Sequence, residues 1–187
     1  MSKIMAGKIN GVDVDRLVET IQAIQETPAI ADFQFRAQNK WLDGGHNRST
    51  ITDFDGGGSR NNQRPTTFVF DADEPPVLLG MDQAANPVEF VLHALAACLT
   101  TSLVYHAAAR GIEVQRVETK LEGDLNLHGF LGIDDDVRNG YEEIRVAMTV
   151  EAQEDQIEEL VELAQRRSPV FDIVTNPVPV RVWATQA

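Results

Sequence analysis

Residues 88–110 read VEFVLHALAACLTTSLVYHAAAR, and from Phe90 through Ala109 they carry no Asp, Glu, Lys or Arg. Gly111 follows as a helix stop, and Arg110 suits the negative end of a helix dipole. A helix of this length spans about 30 Å, the thickness of a bilayer core. Composition and flanks argue against a membrane span. The stretch is rich in Ala rather than Leu, it holds His93, Thr100, Thr101, Ser102 and His106, and only Arg110 flanks it as a basic residue. A helix apolar on nearly all sides is then a central helix surrounded by protein.

The flanking sequence predicts the rest of the architecture. Upstream, residues 13–26 place Val14, Leu17, Val18, Ile21 and Ile24 at three- and four-residue steps, an amphipathic helix capped by Asp13 or Asp15 and followed by Pro28. Residues 31–54 alternate weakly as two strands around an Asp43-Gly44-Gly45 turn. Residues 55–66 (DGGGSRNNQRPT) read as a polar, Gly-rich loop, 67–71 as a strand, and 72–87, with Pro75, Pro76 and Pro87, as irregular chain. The loop lacks the lysine and hydroxyl that a phosphate loop of the Walker type needs after its last glycine. Downstream, 112–127 and 143–150 alternate as strands. Residues 154–166 form an acidic amphipathic helix with Ile157, Leu160, Val161 and Ala164 on its apolar stripe. Ser168-Pro169 breaks it, and 178–183 (VPVRVW) reads as a closing strand. The order α-β-β-β-α-β-β-α-β, with mostly adjoining strands, predicts an α+β fold with a largely antiparallel sheet.

Charge and cysteine usage narrow the function. The chain has 187 residues, 16 Lys+Arg against 29 Asp+Glu, and a formal charge of −13. That balance disfavours nucleic acid, whose backbone calls for a basic face, and it disfavours an anionic membrane. A hydrophobic fraction of 43% is enough to bury a core. Cys98 is the only cysteine. An intrachain disulfide is excluded, and so is a structural zinc site built on two cysteines of one chain. The composition fits a reducing cytoplasm, and residues 1–10 lack an apolar core of signal-peptide length, so a cytoplasmic protein is expected.

Cys98 lies mid-helix, with Ala94, Leu95, Thr101, Ser102 and Tyr105 near it by helical spacing. It is too deep in the helix for that helix's own dipole to lower its pKa, so a cation that activates it must come from elsewhere in the fold or from a second subunit. His93 and His106 share the helix, and Glu89 stands one turn before His93 as a carboxylate–imidazole pair at i,i+4. Glu-x-x-x-His is no metal signature. Residues 124–135 mimic a calcium loop, but the bidentate Glu is missing and Leu125 and Leu127 alternate as a strand. No metal or cofactor is expected.

The string Asn86-Pro87-Val88-Glu89-Phe90-Val91-Leu92-His93-Ala94-Leu95-Ala96-Ala97-Cys98 resembles the central-helix signature of the OsmC/Ohr family. Arg110-Gly111-Ile112, Glu122-Gly123-Asp124-Leu125 and Ser168-Pro169-Val170 resemble segments further along. The resemblance covers roughly 33–183, which divides the chain into an N-terminal helical arm, 1–30, and an OsmC-like domain, 31–187. It implies an intertwined homodimer with two long central helices packed between sheets. It also implies a thiolate that attacks the O–O bond of an organic hydroperoxide, assisted by a glutamate and an arginine.

Residue by residue, Cys98 takes the place of the attacking cysteine and Ser168 that of the resolving one. The glutamate directly after the proline is Val88 here, and Glu89 is displaced by one position, about 100° further round the helix. Arg36, Arg48, Arg60 and Arg64 are candidates for the arginine. The site expected from the resemblance is Cys98 and Glu89 as catalytic residues, with His93, Arg60 and Ser168 as binding residues. A serine forms no disulfide, so the expected chemistry is a one-cysteine, thiol-dependent peroxidase. Its partners are a small organic hydroperoxide and an external thiol reductant. The alternative is a non-enzymatic dimeric protein that binds an apolar small molecule, motivated by Ser168 and Val88. A nucleophile at Cys98 with His93 as base is disfavoured, because five positions put the two about 140° apart on one helix.

Overall fold

The structure, a computed structural model, describes residues 7–186. Residues 1–6 of the expected arm, and of the stretch read for a signal peptide, lie outside the described range, as does residue 187. The chain divides into two compact units, one centred on Val12–Val91 and the other on Leu92–Ala187 with Ile9–Gly11.

Two short strands, β1 (Lys8–Ile9) and β2 (Val12–Asp13), precede the first helix. In the first unit, α1 (Val14–Glu26) begins at Asp13, whose carboxylate accepts the Arg16 N–H at 3.1 Å. A four-stranded antiparallel sheet follows, made of β3 (Gln34–Phe35), β4 (Gln38–Asp43), β5 (His46–Gly56) and β6 (Ser59–Ala72). The long β5 pairs with all three others. The predicted Asp43-Gly44-Gly45 turn joins β4 to β5, where Asp43 pairs with His46 and Gly44 takes φ 51°.

The polar loop expected over 55–66 is instead a tight hairpin. Gly56 pairs with Ser59, and only Gly57 and Gly58 turn the chain, at φ 60° and 77°. Two successive glycines accept left-handed backbone without strain, so a two-residue turn suffices and the polar residues pair through their main chain.

The second unit is built on α2 (Pro87–Ala109), whose later part carries its core. The strands β7 (Arg116–Asp124) and β8 (Glu143–Glu151) pair antiparallel from Arg116↔Glu151 to Asp124↔Glu143. Strict alternation turns Val117, Leu121, Ile144, Val146, Met148 and Val150 inward. Between these strands, α3 (Leu127–Phe130) forms a single turn. The inward residues pack on Leu95, Leu99, Leu103 and Ala107 of α2 and on Leu160 and Ala164 of α4 (Glu154–Arg167). Ahead of β7, the Asn10 side chain donates to the Ile112 carbonyl and accepts the Val114 N–H, both at 2.9 Å.

The expected closing strand is not formed. A short helix, α5 (Pro169–Thr175), follows α4, and residues 177–186 pair with no strand. Pro177 and Pro179 lack N–H groups, so along the edge they share with Arg181 only Arg181 could donate to a ladder. Alternation alone gives the strand pattern. A strand also needs a neighbour to pair with.

Candidate thiol site on the central helix

The sequence Asn86-Pro87-Val88-Glu89 starts α2 as a capping box with proline at the first helical position. The Asn86 side chain accepts the Val88 N–H at 3.0 Å, and Glu89 Oε2 reaches back to accept the Asn86 N–H at 2.8 Å. Asn86 Nδ2 donates to Glu74 Oε2 at 2.5 Å. The Glu89 carboxylate is thus tied to the helix start, and it forms no hydrogen bond with His93 among the described residues.

Nine residues on, Cys98 is half-buried. Nine steps of about 100° set Glu89 and Cys98 on opposite sides of the helix, so α2 does not bring the two together. His93 is exposed and about 140° from Cys98. The buried residues of α2 are Leu95, Leu99, Leu103, Ala107 and Ala108. Cys98 borders that stripe and shares its own line with Val91 and Tyr105, each seven positions away and within about 20° of it. Ser102, four residues on, points its side chain back over the thiol's turn. Among the described residues, the thiol has no hydrogen-bond or ion-pair partner.

Ser168 is 2% exposed and caps α5, with its hydroxyl accepting the Phe171 N–H at 3.1 Å. Proline at the first helical position and serine before it make the segment a helix start, a signal legible in Ser168-Pro169. The four arginines differ. Arg36 pairs with Asp53 and Asp55 at 3.0 and 2.5 Å. Arg48 grips Asp71 through Nε and Nη2 at 2.6 and 2.7 Å, and with His46 it holds the Asp71 carboxyl far below the usual range. Arg64 lies over the Phe54 and Phe68 rings at 4.9 and 5.6 Å. Arg60 is exposed, with no ion-pair partner among the described residues. It lines a cleft of about 610 Å³ in the first unit, together with Asp32, Phe33, Gln34, Asp55 and Ser59.

Two perturbed groups escape a reading of the sequence. Half-buried His106 titrates below its ordinary value, because burial and then Arg167 and Arg110 disfavour its proton. Asp73 is buried just past the end of β6. Neither sits in a recognisable motif; burial is the largest cause for His106, and the Gln83 N–H, ten residues on, for Asp73.

By length and hydropathy α2 is the one helix among the described residues able to cross a membrane. A family model described as "OsmC-like protein" matches residues 80–182, more than half of the chain. The chain belongs to the OsmC-like family. OsmC-like proteins are soluble, and α2 is the central helix of the matched region. The fold is similar to that of an OsmC-like protein from Mycoplasma pneumoniae, with TM-score 0.58 and 15% identity over 77% of this chain and 89% of that one. An OsmC-like protein of unknown function from Vibrio cholerae matches with TM-score 0.52 and 15% identity over 74% and 92%. A Legionella pneumophila organic hydroperoxide resistance protein matches with TM-score 0.50 and 18% identity over 76% and 90%. Identities this low carry the fold alone. No curated protein sequence matches the chain.

Proposed function

We propose that this OsmC-like protein is a one-cysteine, thiol-dependent reductase of small organic hydroperoxides, acting in oxidative-stress defence in the cytoplasm as a homodimer. The observation that carries this reading is Cys98, half-exposed on the central helix of the family's domain and bordering, not filling, its packed stripe. The Cys98 thiolate attacks the terminal peroxide oxygen. An S–O bond forms, the O–O bond breaks, and the alkoxide leaves as alcohol after taking a proton. The sulfenic acid so formed waits for an external thiol, because Ser168 supplies no sulfur. The first external thiol forms a mixed disulfide and releases water. A second attacks that disulfide, restoring the Cys98 thiol and leaving the donor oxidised. Exposed Arg60, alone of the four arginines in having no partner among the described residues, is the one free to meet an anionic reductant. The test is turnover of cumene hydroperoxide with glutathione or dihydrolipoamide, wild type against Cys98→Ser. Equal rates would remove the reading.

A second reading, a non-enzymatic dimer holding an apolar small molecule, draws on the helix-capping commitments of Glu89 and Ser168. Native mass spectrometry of freshly purified protein distinguishes it. A co-purified ligand supports it, and a clean dimer opposes it.

A further inference from the structure

The cleft of about 610 Å³ in the first unit has the size of a small-molecule site. Two stretches of chain line it. Asp32 and Phe33 follow the 3₁₀ turn Pro28–Ala31, and Gly56 and Arg60 flank the β5–β6 turn. Both stretches are fixed by their own contacts. The Asp32 N–H donates to the Ala29 carbonyl at 3.3 Å. The Phe33 ring stacks on Phe54 at 6.2 Å and 8°, and on Phe35 at 5.7 Å and 23°. Gly56 lets that ring lie against its backbone, since a Cβ there would stand 2.1 Å from a ring carbon. Ile30 and Gly58 bring the two stretches together, a Cβ on Gly58 being 3.9 Å from Ile30 Cγ1. Phe33 is nonetheless 52% exposed, so the cleft presents a pinned aromatic surface to solvent.

Two opposite charges share this cleft and do not meet. Asp32 and Arg60 both line it and both are exposed, yet neither has an ion-pair partner among the described residues, each other included. The other carboxylate of the cleft, Asp55, is held by Arg36 at 2.5 Å. One unpaired anion, one unpaired cation and an aromatic surface therefore remain. We infer that the cleft binds a small zwitterion with an apolar body, a free α-amino acid that carries an aromatic side chain. Arg60 takes the carboxylate, Asp32 takes the ammonium, and the side chain lies against Phe33. An anion alone would bring its charge up to Asp32 in a chain of −13, and a cation alone would face Arg60. Only a ligand with both charges uses both residues. The site goes beyond the peroxidase reading: it uses no part of Cys98, and its ligand needs no sulfur.

Calorimetric titration of the full wild-type chain with L-phenylalanine, 3-phenylpropionate and phenethylamine tests the inference, with backbone-amide chemical shifts locating the bound ligand. The two analogues keep the ring and each lacks one charge. The expected result is saturable binding of L-phenylalanine with a dissociation constant below about 1 mM. Each analogue should bind at least about tenfold more weakly, the loss of one charged hydrogen-bonding group. The shifted amides should be those of residues 32–34 and 56–60. Asp32→Asn should lose the preference for L-phenylalanine over 3-phenylpropionate while binding 3-phenylpropionate no more weakly than wild type does. Arg60→Gln should do the same with phenethylamine. Those retained affinities show that the variants are folded. No saturation by L-phenylalanine at about 10 mM, equal affinity of wild type for all three ligands, or shifts confined to residues outside the cleft would overturn the inference. So would a variant that keeps the wild-type preference. The wild-type ranking needs no variant, so a misfolded substitution does not blunt the test.

Discussion

Two sides of α2 are built from the same kind of residue and do different work. On one side Leu95, Leu99, Leu103 and Ala107 are buried against α4 and the β7–β8 hairpin, out of reach of any reagent. On the other, Val91, Cys98 and Tyr105 run along a line that the chain's own core does not fill. Hydropathy assigns both sides to protein surroundings, whereas packing decides whether those surroundings belong to the same chain. Cys98 would be inert filler if it shared the buried stripe, and it stands at the stripe's edge.

The contrast is most exposed to test at the thiol. Cys98→Ser is expected to abolish peroxide turnover while leaving the melting temperature nearly unchanged, checked by coupled NADPH oxidation and thermal denaturation. On the buried side, Leu103→Ala is expected to cost about 2–5 kcal/mol, read from denaturant unfolding, because a fully buried leucine leaves a cavity when truncated. Asn86→Ala removes the cap of α2 and should cost about 0.5–2 kcal/mol in the same measurement. Glu89→Gln separates capping from chemistry. Glutamine also serves in a capping box, so stability and turnover should both hold. A fall of about tenfold in kcat/KM at unchanged stability, some 1.4 kcal/mol in the transition state, would return Glu89 to the chemistry.

The smallest effect expected is a pH dependence. His106 in the folded chain holds its proton less tightly than the ordinary 6.5, so the unfolded chain binds more protons just below that pH. Its contribution is fully present above about pH 6.5 and is lost as the pH falls from there toward the folded value. His106→Gln should flatten the stability profile in that window. The carboxylates of Asp71, Asp73 and Asp124 are depressed in the fold, and their stabilisation is lost only as the pH falls below the ordinary 3.8.

Much of the fold was legible because its signals are local. The charge-free run 90–109, the Asp43-Gly44-Gly45 turn, the alternation of 143–150 and the 154–166 stripe each depend on near neighbours, and each stands in the structure. The misreadings involve what local pattern does not encode. Residues 55–66 looked like a loop by composition, yet pair as strands because Gly57 and Gly58 make the turn alone. Residues 178–183 have a strand's alternation and no strand beside them. At the site, the sequence named Cys98, Glu89 and Ser168, but not the groups to which the carboxylate and the hydroxyl are already bonded.

The central helix and the single thiol at position 98 follow from residue identity and short-range periodicity, and the resemblance to a family motif marked Ser168. Folding settled the rest. It turned Glu89 to cap its helix on the side away from Cys98, left Arg60 without a partner among the described residues, and set Asp73 to accept the Gln83 N–H ten residues on. Those outcomes depend on which donors, acceptors and apolar faces the folded backbone brings within a few ångströms, and the order of residues along the chain does not record that.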